Sequence, residues 1–277
     1  MKLRQLMFVL PNLFTVSSIF CGFYALSLCS GEASSAQLYQ AALSIFFGIF
    51  FDGFDGRVAR LTRTQSQFGM ELDSLADVVT FGAAPALLVW KWALQPLGFV
   101  GLFIGFLFAA CGALRLARFN VLAQKNPHGG ASSFFVGLPI PLGAGVVISM
   151  VLAWHGAQGG PLPDSARWPV AGAVVFLALL MVSTVRYRTF KDLKISKKSI
   201  VVFLLMLAGG VIIATQIHPS GVLVAYFMVY LVAGLVESAV LLGRSLKNRH
   251  GADALESMDE DEQEGDDTPD VDEQEVL

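Results

Sequence analysis

Five carboxylates crowd one stretch of 26 residues in a chain otherwise sparing with charge: Asp52, Asp55, Glu71, Asp73 and Asp77. Asp52 and Asp55 are three residues apart, and Asp73 and Asp77 are four apart. On a helix both spacings put the paired side chains on a common face. Four mutually close carboxylates repel one another and cannot all stay ionised without a cation among them. No Cys or His stands in this stretch, so the donors are hard oxygens, which suit Mg²⁺ or Mn²⁺ and not zinc. The pattern predicts a site for two divalent ions, about 3.5–4 Å apart and bridging phosphate oxygens. Two other uses stand beside it: an ion or proton relay in a transporter, and polar glue between helices.

The residues around the carboxylates favour phosphate. Gly56 and Ala59 follow on the Asp52/Asp55 face at helical spacing and leave space beside the ions. Arg60 lies one turn beyond Gly56, and a guanidinium reaches phosphate with a bidentate fork. Ser66 offers a hydroxyl in the turn, and Gly69 precedes Asp73 by four residues. A groove of this kind fits a pyrophosphate.

The elements that must position these groups are membrane helices. The chain has 277 residues, 55% hydrophobic and 15% charged, with a mean hydropathy of +0.62. Soluble domains average about 25% charged residues, so this composition excludes a typical soluble enzyme, a disordered chain and a disulfide scaffold. Three cysteines, Cys21, Cys29 and Cys111, lie in apolar stretches with no CxxC spacing, which predicts small buried hydrophobes. A bilayer span needs roughly 20 mostly apolar residues. Eight segments qualify, near 7–29, 36–56, 70–92, 98–122, 137–155, 168–185, 199–216 and 220–243. The first follows Lys2 and Arg4 but is too long for a signal peptide core, so it reads as a retained helix. Pro11-Asn12 interrupts its start, and Pro85 is expected to kink the third span. Gly137-Leu138-Pro139-Ile140-Pro141 is expected to break the start of the fifth.

Charge sets the topology. With both termini cytoplasmic, 17 of the 19 Lys/Arg fall on the inside, leaving Lys91 and Arg167 outside. The positive-inside rule predicts this bias. The fold expected is therefore all-α, a polytopic transmembrane bundle of about eight helices in the cytoplasmic membrane. Residues 1–250 form the transmembrane catalytic domain. Residues 251–277 carry 13 Asp/Glu and no Lys/Arg, a composition that predicts a disordered acidic tail. The two aspartate pairs lie on neighbouring antiparallel helices joined by a short basic turn, and so face each other near the cytoplasmic surface.

The pattern Asp52-x-x-Asp55-Gly56-x-x-Ala59-Arg60, eight further residues, then Gly69-x-x-x-Asp73-x-x-x-Asp77 resembles the signature of the CDP-alcohol phosphotransferase family at every position. The resemblance implies transfer of a phosphatidyl group from CDP-diacylglycerol to an alcohol, with release of CMP. It implies that Asp52 and Asp73 touch both ions, Asp55 the first and Asp77 the second, with Asp77 also the general base. Gly56, Ala59, Arg60 and Ser66 would line the CDP site. Asn12 and Thr15, in Pro11-Asn12-Leu13-Phe14-Thr15, match the family's Asn-x-x-Ser/Thr and would line the cytidine pocket. A six-helix core, here with two C-terminal helices added, and a homodimer are further implications.

Residues 5–145 are similar to the integral-membrane, serine-using branch of that family. The likeness rests on Ser74-Leu75-Ala76-Asp77-Val78-Val79-Thr80-Phe81-Gly82-Ala83-Ala84-Pro85-Ala86, on Arg115-Leu116-Ala117-Arg118-Phe119-Asn120, and on Phe135-Val136-Gly137-Leu138-Pro139-Ile140-Pro141. It implies L-serine as acceptor and phosphatidylserine as product, with membrane lipids as surroundings and no nucleic-acid partner. A zwitterionic acceptor needs a cation for its carboxylate. Arg115 and Arg118 enter the same membrane face as the aspartates, and positive-inside anchoring is their other reading. Glu71 is expected beside the groove, and Glu237, alone in the eighth span, has no assigned role. Glycerol 3-phosphate or an inositol phosphate are the rival acceptors, and a cation-coupled transporter is the rival of another class.

Overall fold

The computed structural model describes residues 3–188 apart from 63, 65, 126–133 and 158. These residues belong to one unit, Met1–Gly234, and the second unit, Leu235–Leu277, lies outside them. The expected spans at 199–216 and 220–243, Glu237 and the acidic tail also lie outside the described residues.

The structure is a helical bundle. α1 covers Leu3–Cys29 and α2 covers Ser35–Thr62. Ser34 starts α2 through a reciprocal capping box: its N–H donates to Gln37 Oε1 at 2.8 Å, and the Gln37 N–H donates to Ser34 Oγ at 3.3 Å. α2 runs six residues beyond its expected end at 56, so Gly56, Ala59 and Arg60 are helical. α1 continues through Pro11, which sits inside the helix.

The third span is not a regular α-helix. α3 (Gln67–Asp77) passes into a π-helical segment, Val78–Ala83, then α4 (Ala84–Val89), a second π-helical segment (Trp90–Leu94) and a 3₁₀ turn (Gln95–Leu97). Pro85 has no N–H to offer the preceding turn. The turn just before it is widened, with the Ala84 N–H reaching back five residues to the Val79 carbonyl. The expected kink therefore takes the form of a π segment directly after Asp77. Gly98, at φ +59°, reverses the chain into α5 (Gly98–Lys125).

α6 (Ile140–Ala157) and α7 (Asp164–Val182) follow. The break before α6 falls where expected: Gly137 adopts φ +80°, and a Cβ there would collide with the Met181 carbonyl oxygen of α7. A three-residue antiparallel ribbon pairs β1 (Phe134–Val136) with β2 (Arg186–Arg188), Phe135 opposite Tyr187.

Connectors gather at alternate ends. At one end Lys91 Nζ donates to the Gly31 carbonyl at 2.7 Å, and Ser35 Oγ meets His155 Nε2 at 2.8 Å. At the other lie the α2–α3 turn and the α5–α7 contact. Phe81, Phe108, Ile45, Leu88, Val147 and Met181 fill the interior, while Phe20, Phe23, Phe47, Phe50, Phe99, Phe103 and Phe106 face outward. That outward set suits hydrocarbon, where helices keep every backbone bond internal.

Among the described residues, four stretches are long and apolar enough to cross a membrane: Pro11–Cys29, Gln67–Leu122, Ile140–Ala157 and Asp164–Val182. The second contains two of the expected spans, broken at Gly98. The chain is a multi-pass membrane protein. All three cysteines are buried free thiols, as their apolar settings predicted.

Candidate active site

α2 and α3 bring the aspartates together. One carboxylate oxygen from each of Asp52, Asp55 and Asp73 lies within 4.8 Å of the others. Asp77, buried at the end of α3, lies one turn further along the same helix and interacts electrostatically with Asp52 and Asp73. The facing pairs expected from the spacing are thus adjacent in space.

Their local scaffold is legible. Ser66 caps α3, its Oγ accepting from the Gly69 N–H at 3.0 Å. This fixes where the helix begins and therefore where Asp73 and Asp77 point. Gly69 keeps the turn tight: a Cβ there would meet Ser66 Oγ at 3.2 Å and Asn12 Oδ1 at 3.8 Å. Asn12 therefore borders the start of α3. On α2, Gly56 and Ala59 are half-buried beside the aspartates, and Arg60 sits on the same helix with its side chain outside the described part.

Thr15, 4% exposed, donates its hydroxyl to Asp55 Oδ2 at 2.9 Å. The sequence placed Thr15 at the site but gave no sign of this bond. α5 adds the cations. Arg115 is buried and interacts electrostatically with Asp77. Arg118 does something different: Nη1 donates to the Val182 carbonyl at 3.0 Å and Nη2 to the Ser183 carbonyl at 3.1 Å. It ties α5 to the C-terminal end of α7, where a cation also complements the helix dipole.

Glu71 turns out to clasp two helices. Its Oε2 accepts from Asn120 Nδ2 at 3.3 Å and its Oε1 from Gln124 Nε2 at 3.4 Å. Asn120 also donates to Ser74 Oγ at 2.9 Å. Sequence reading passed over Asn120 and Gln124 as groups holding α5 on α3; two amides in the last turns of an apolar helix were the signal.

The residues present fit divalent cations. Asp73 Oδ1 and Asp77 Oδ1 are buried with no hydrogen-bond partner among the described residues, and lone buried acceptors are costly unless something positive meets them. The donors are all carboxylate oxygen, the ligand type of hard divalent ions. Two small residues, Gly56 and Ala59, stand on the same helix as Asp52 and Asp55. Such a site can neutralise and orient a diphosphate.

Comparisons with known proteins agree with this chemistry. A profile of the CDP-alcohol phosphatidyltransferase family matches residues 8–185, which contain every site residue named above. The chain belongs to that family. It is 36% identical over 248 residues to the CDP-diacylglycerol–serine O-phosphatidyltransferase of Helicobacter pylori strain J99, covering 88% of this chain and 97% of that protein. It is 33% identical over 184 residues to the protein of the same name from Bacillus subtilis, covering 66% of this chain and 91% of that one. A Saccharomyces cerevisiae protein of that name is 40% identical over 144 residues, about half of each chain.

Proposed function

We propose that this protein transfers the phosphatidyl group of CDP-diacylglycerol to L-serine, giving phosphatidylserine and CMP. The observation that carries the reading is the convergence of the Asp52, Asp55 and Asp73 oxygens within 4.8 Å, in a chain similar over nearly its whole length to serine O-phosphatidyltransferases.

Asp52, Asp55, Asp73 and Asp77 would hold two divalent ions, Mg²⁺ or Mn²⁺. Such ions supply charge neutralisation on the phosphate oxygens and on departing CMP. Arg60 grips the pyrophosphate, with Gly56 and Ala59 leaving it room and Ser66 and Asn12 on the nucleotide side. The serine hydroxyl attacks the diacylglycerol-linked phosphorus in line. A serine O–P bond forms, the P–O bond to the CMP phosphate breaks, and Asp77 takes the hydroxyl proton. Arg115, beside Asp77, is assigned to the serine carboxylate. Arg118 holds α5 in place so that Arg115 stays there.

The acyl chains enter sideways between helices, while CDP and serine arrive from the cytoplasm. In this reading the protein sits in the cytoplasmic membrane with both termini inside, an orientation supported by the Lys/Arg bias toward that side, and forms a homodimer, as the family resemblance implies. The test is CMP release by the purified protein from CDP-diacylglycerol with each acceptor in turn. L-serine should drive release. Preference for glycerol 3-phosphate or inositol phosphate would move the assignment to another acceptor, and ion flux in sealed vesicles without CMP release would replace the enzyme with a transporter.

A further inference from the structure

Thr15 and Asn12 occupy one face of α1, three residues apart, and that face is the wall shared by both carboxylate helices. Thr15 reaches Asp55 on α2, and Asn12 Oδ1 lies against Gly69 at the start of α3. The Thr15 hydroxyl has a single hydrogen and two acceptors in range, Asp55 Oδ2 at 2.9 Å and the Pro11 carbonyl at 3.3 Å. The shorter contact goes to the carboxylate, where a charged acceptor also makes the stronger bond. Both partners are buried, Thr15 to 4% and Asp55 to 6% exposure, where losing a hydrogen-bond partner is costly.

We propose that Thr15 is a positioning residue for the divalent site: its hydroxyl fixes the rotation of the Asp55 carboxylate before an ion arrives. Groups that orient metal-binding side chains typically carry a ten- to hundredfold share of metal affinity. The inference rests on the divalent site of the proposed function but assigns Thr15 to the carboxylate and not to the nucleotide base. It follows that replacing the hydroxyl weakens ion binding even with no nucleotide present.

The experiment is a Mn²⁺ titration of the full-length protein in detergent, read by the electron paramagnetic resonance of free Mn²⁺, with no CDP-diacylglycerol added. Thr15→Val keeps the side-chain shape and removes the donor; Thr15→Ser keeps the donor. The expected result is a Mn²⁺ affinity about ten- to hundredfold weaker in Thr15→Val, with Thr15→Ser close to wild type. CMP affinity at saturating Mn²⁺ should be equal in all three. Wild-type Mn²⁺ affinity in Thr15→Val overturns the proposal, as does a loss of CMP affinity at saturating Mn²⁺ in that variant. A wild-type protein that binds no Mn²⁺ overturns the divalent site itself and is distinguishable from both. Thermal melting of each variant separates lost binding from lost folding.

Discussion

Thr80 donates its hydroxyl to the Ser18 carbonyl at 2.9 Å, tying the π-helical segment to α1 across 62 residues of sequence. Thr80 is fully buried and three residues beyond Asp77, so the tie acts on the turn that follows the proposed base. It sits in a notch of two glycines. A Cβ on Gly22 would come 2.7 Å from Thr80 Cα, and one on Gly48 would come 2.6 Å from Thr80 Cγ2. α1, α2 and the π segment thus meet at a point where backbone stands against side chain, as close helix packing in membranes requires.

The notch gives a paired prediction. Gly48→Ala should destabilise the protein by about 1–3 kcal/mol through overpacking. Thr80→Ser in the same chain removes the colliding Cγ2 but keeps the hydroxyl, and should recover most of that loss. Thermal melting in detergent decides it, and a double variant no more stable than Gly48→Ala alone counts against the packing described.

Asp77→Asn should leave nucleotide bound, with Mn²⁺ held by Asp52, Asp55 and Asp73, while CMP release falls about 10²–10⁴-fold, the usual contribution of a general base. Single-turnover kinetics with CDP-diacylglycerol and L-serine provide the measurement. Near-normal turnover removes Asp77 from the base role.

Arg115→Met should raise the KM for L-serine at least about tenfold, the loss of one charge-assisted pair of roughly 1.5–3 kcal/mol. The KM for CDP-diacylglycerol should stay near wild type. Arg115→Lys restores only part, because an ammonium lacks the planar fork. Equal changes in both KM values point away from an acceptor contact.

Arg118→Ala should behave differently, since it loses the bonds to the Val182 and Ser183 carbonyls. Melting temperature should drop clearly, while the serine KM in surviving protein moves less than in Arg115→Met. A large KM change with unaltered melting instead places Arg118 at the acceptor.

The carboxylate site was legible because helical period converts spacing into direction. Asp52 with Asp55 and Asp73 with Asp77 each share a face, and a short turn makes their helices neighbours. The Thr15–Asp55 bond was not, since periodicity within α1 says nothing about how α1 is rotated against α2. Nor were the π segments: Pro85 announced a distortion, but which carbonyl the Ala84 N–H meets depends on how the whole turn packs. Arg118 shows a third limit. A basic residue at a membrane face satisfies charge bias whether it anchors, binds a substrate or holds a helix end, and only the carbonyls of Val182 and Ser183 tell which.

The central claim is that these aspartates work by holding divalent ions against the lipid diphosphate. Its most direct test is CMP release by chelator-stripped protein supplied with CDP-diacylglycerol and L-serine, as Mg²⁺ or Mn²⁺ is added back. Release should be absent in the stripped protein, return with the ion, and stay absent when Asp52 and Asp73 are both replaced by Asn. Full release in excess chelator, or release undiminished in that double variant, contradicts the account.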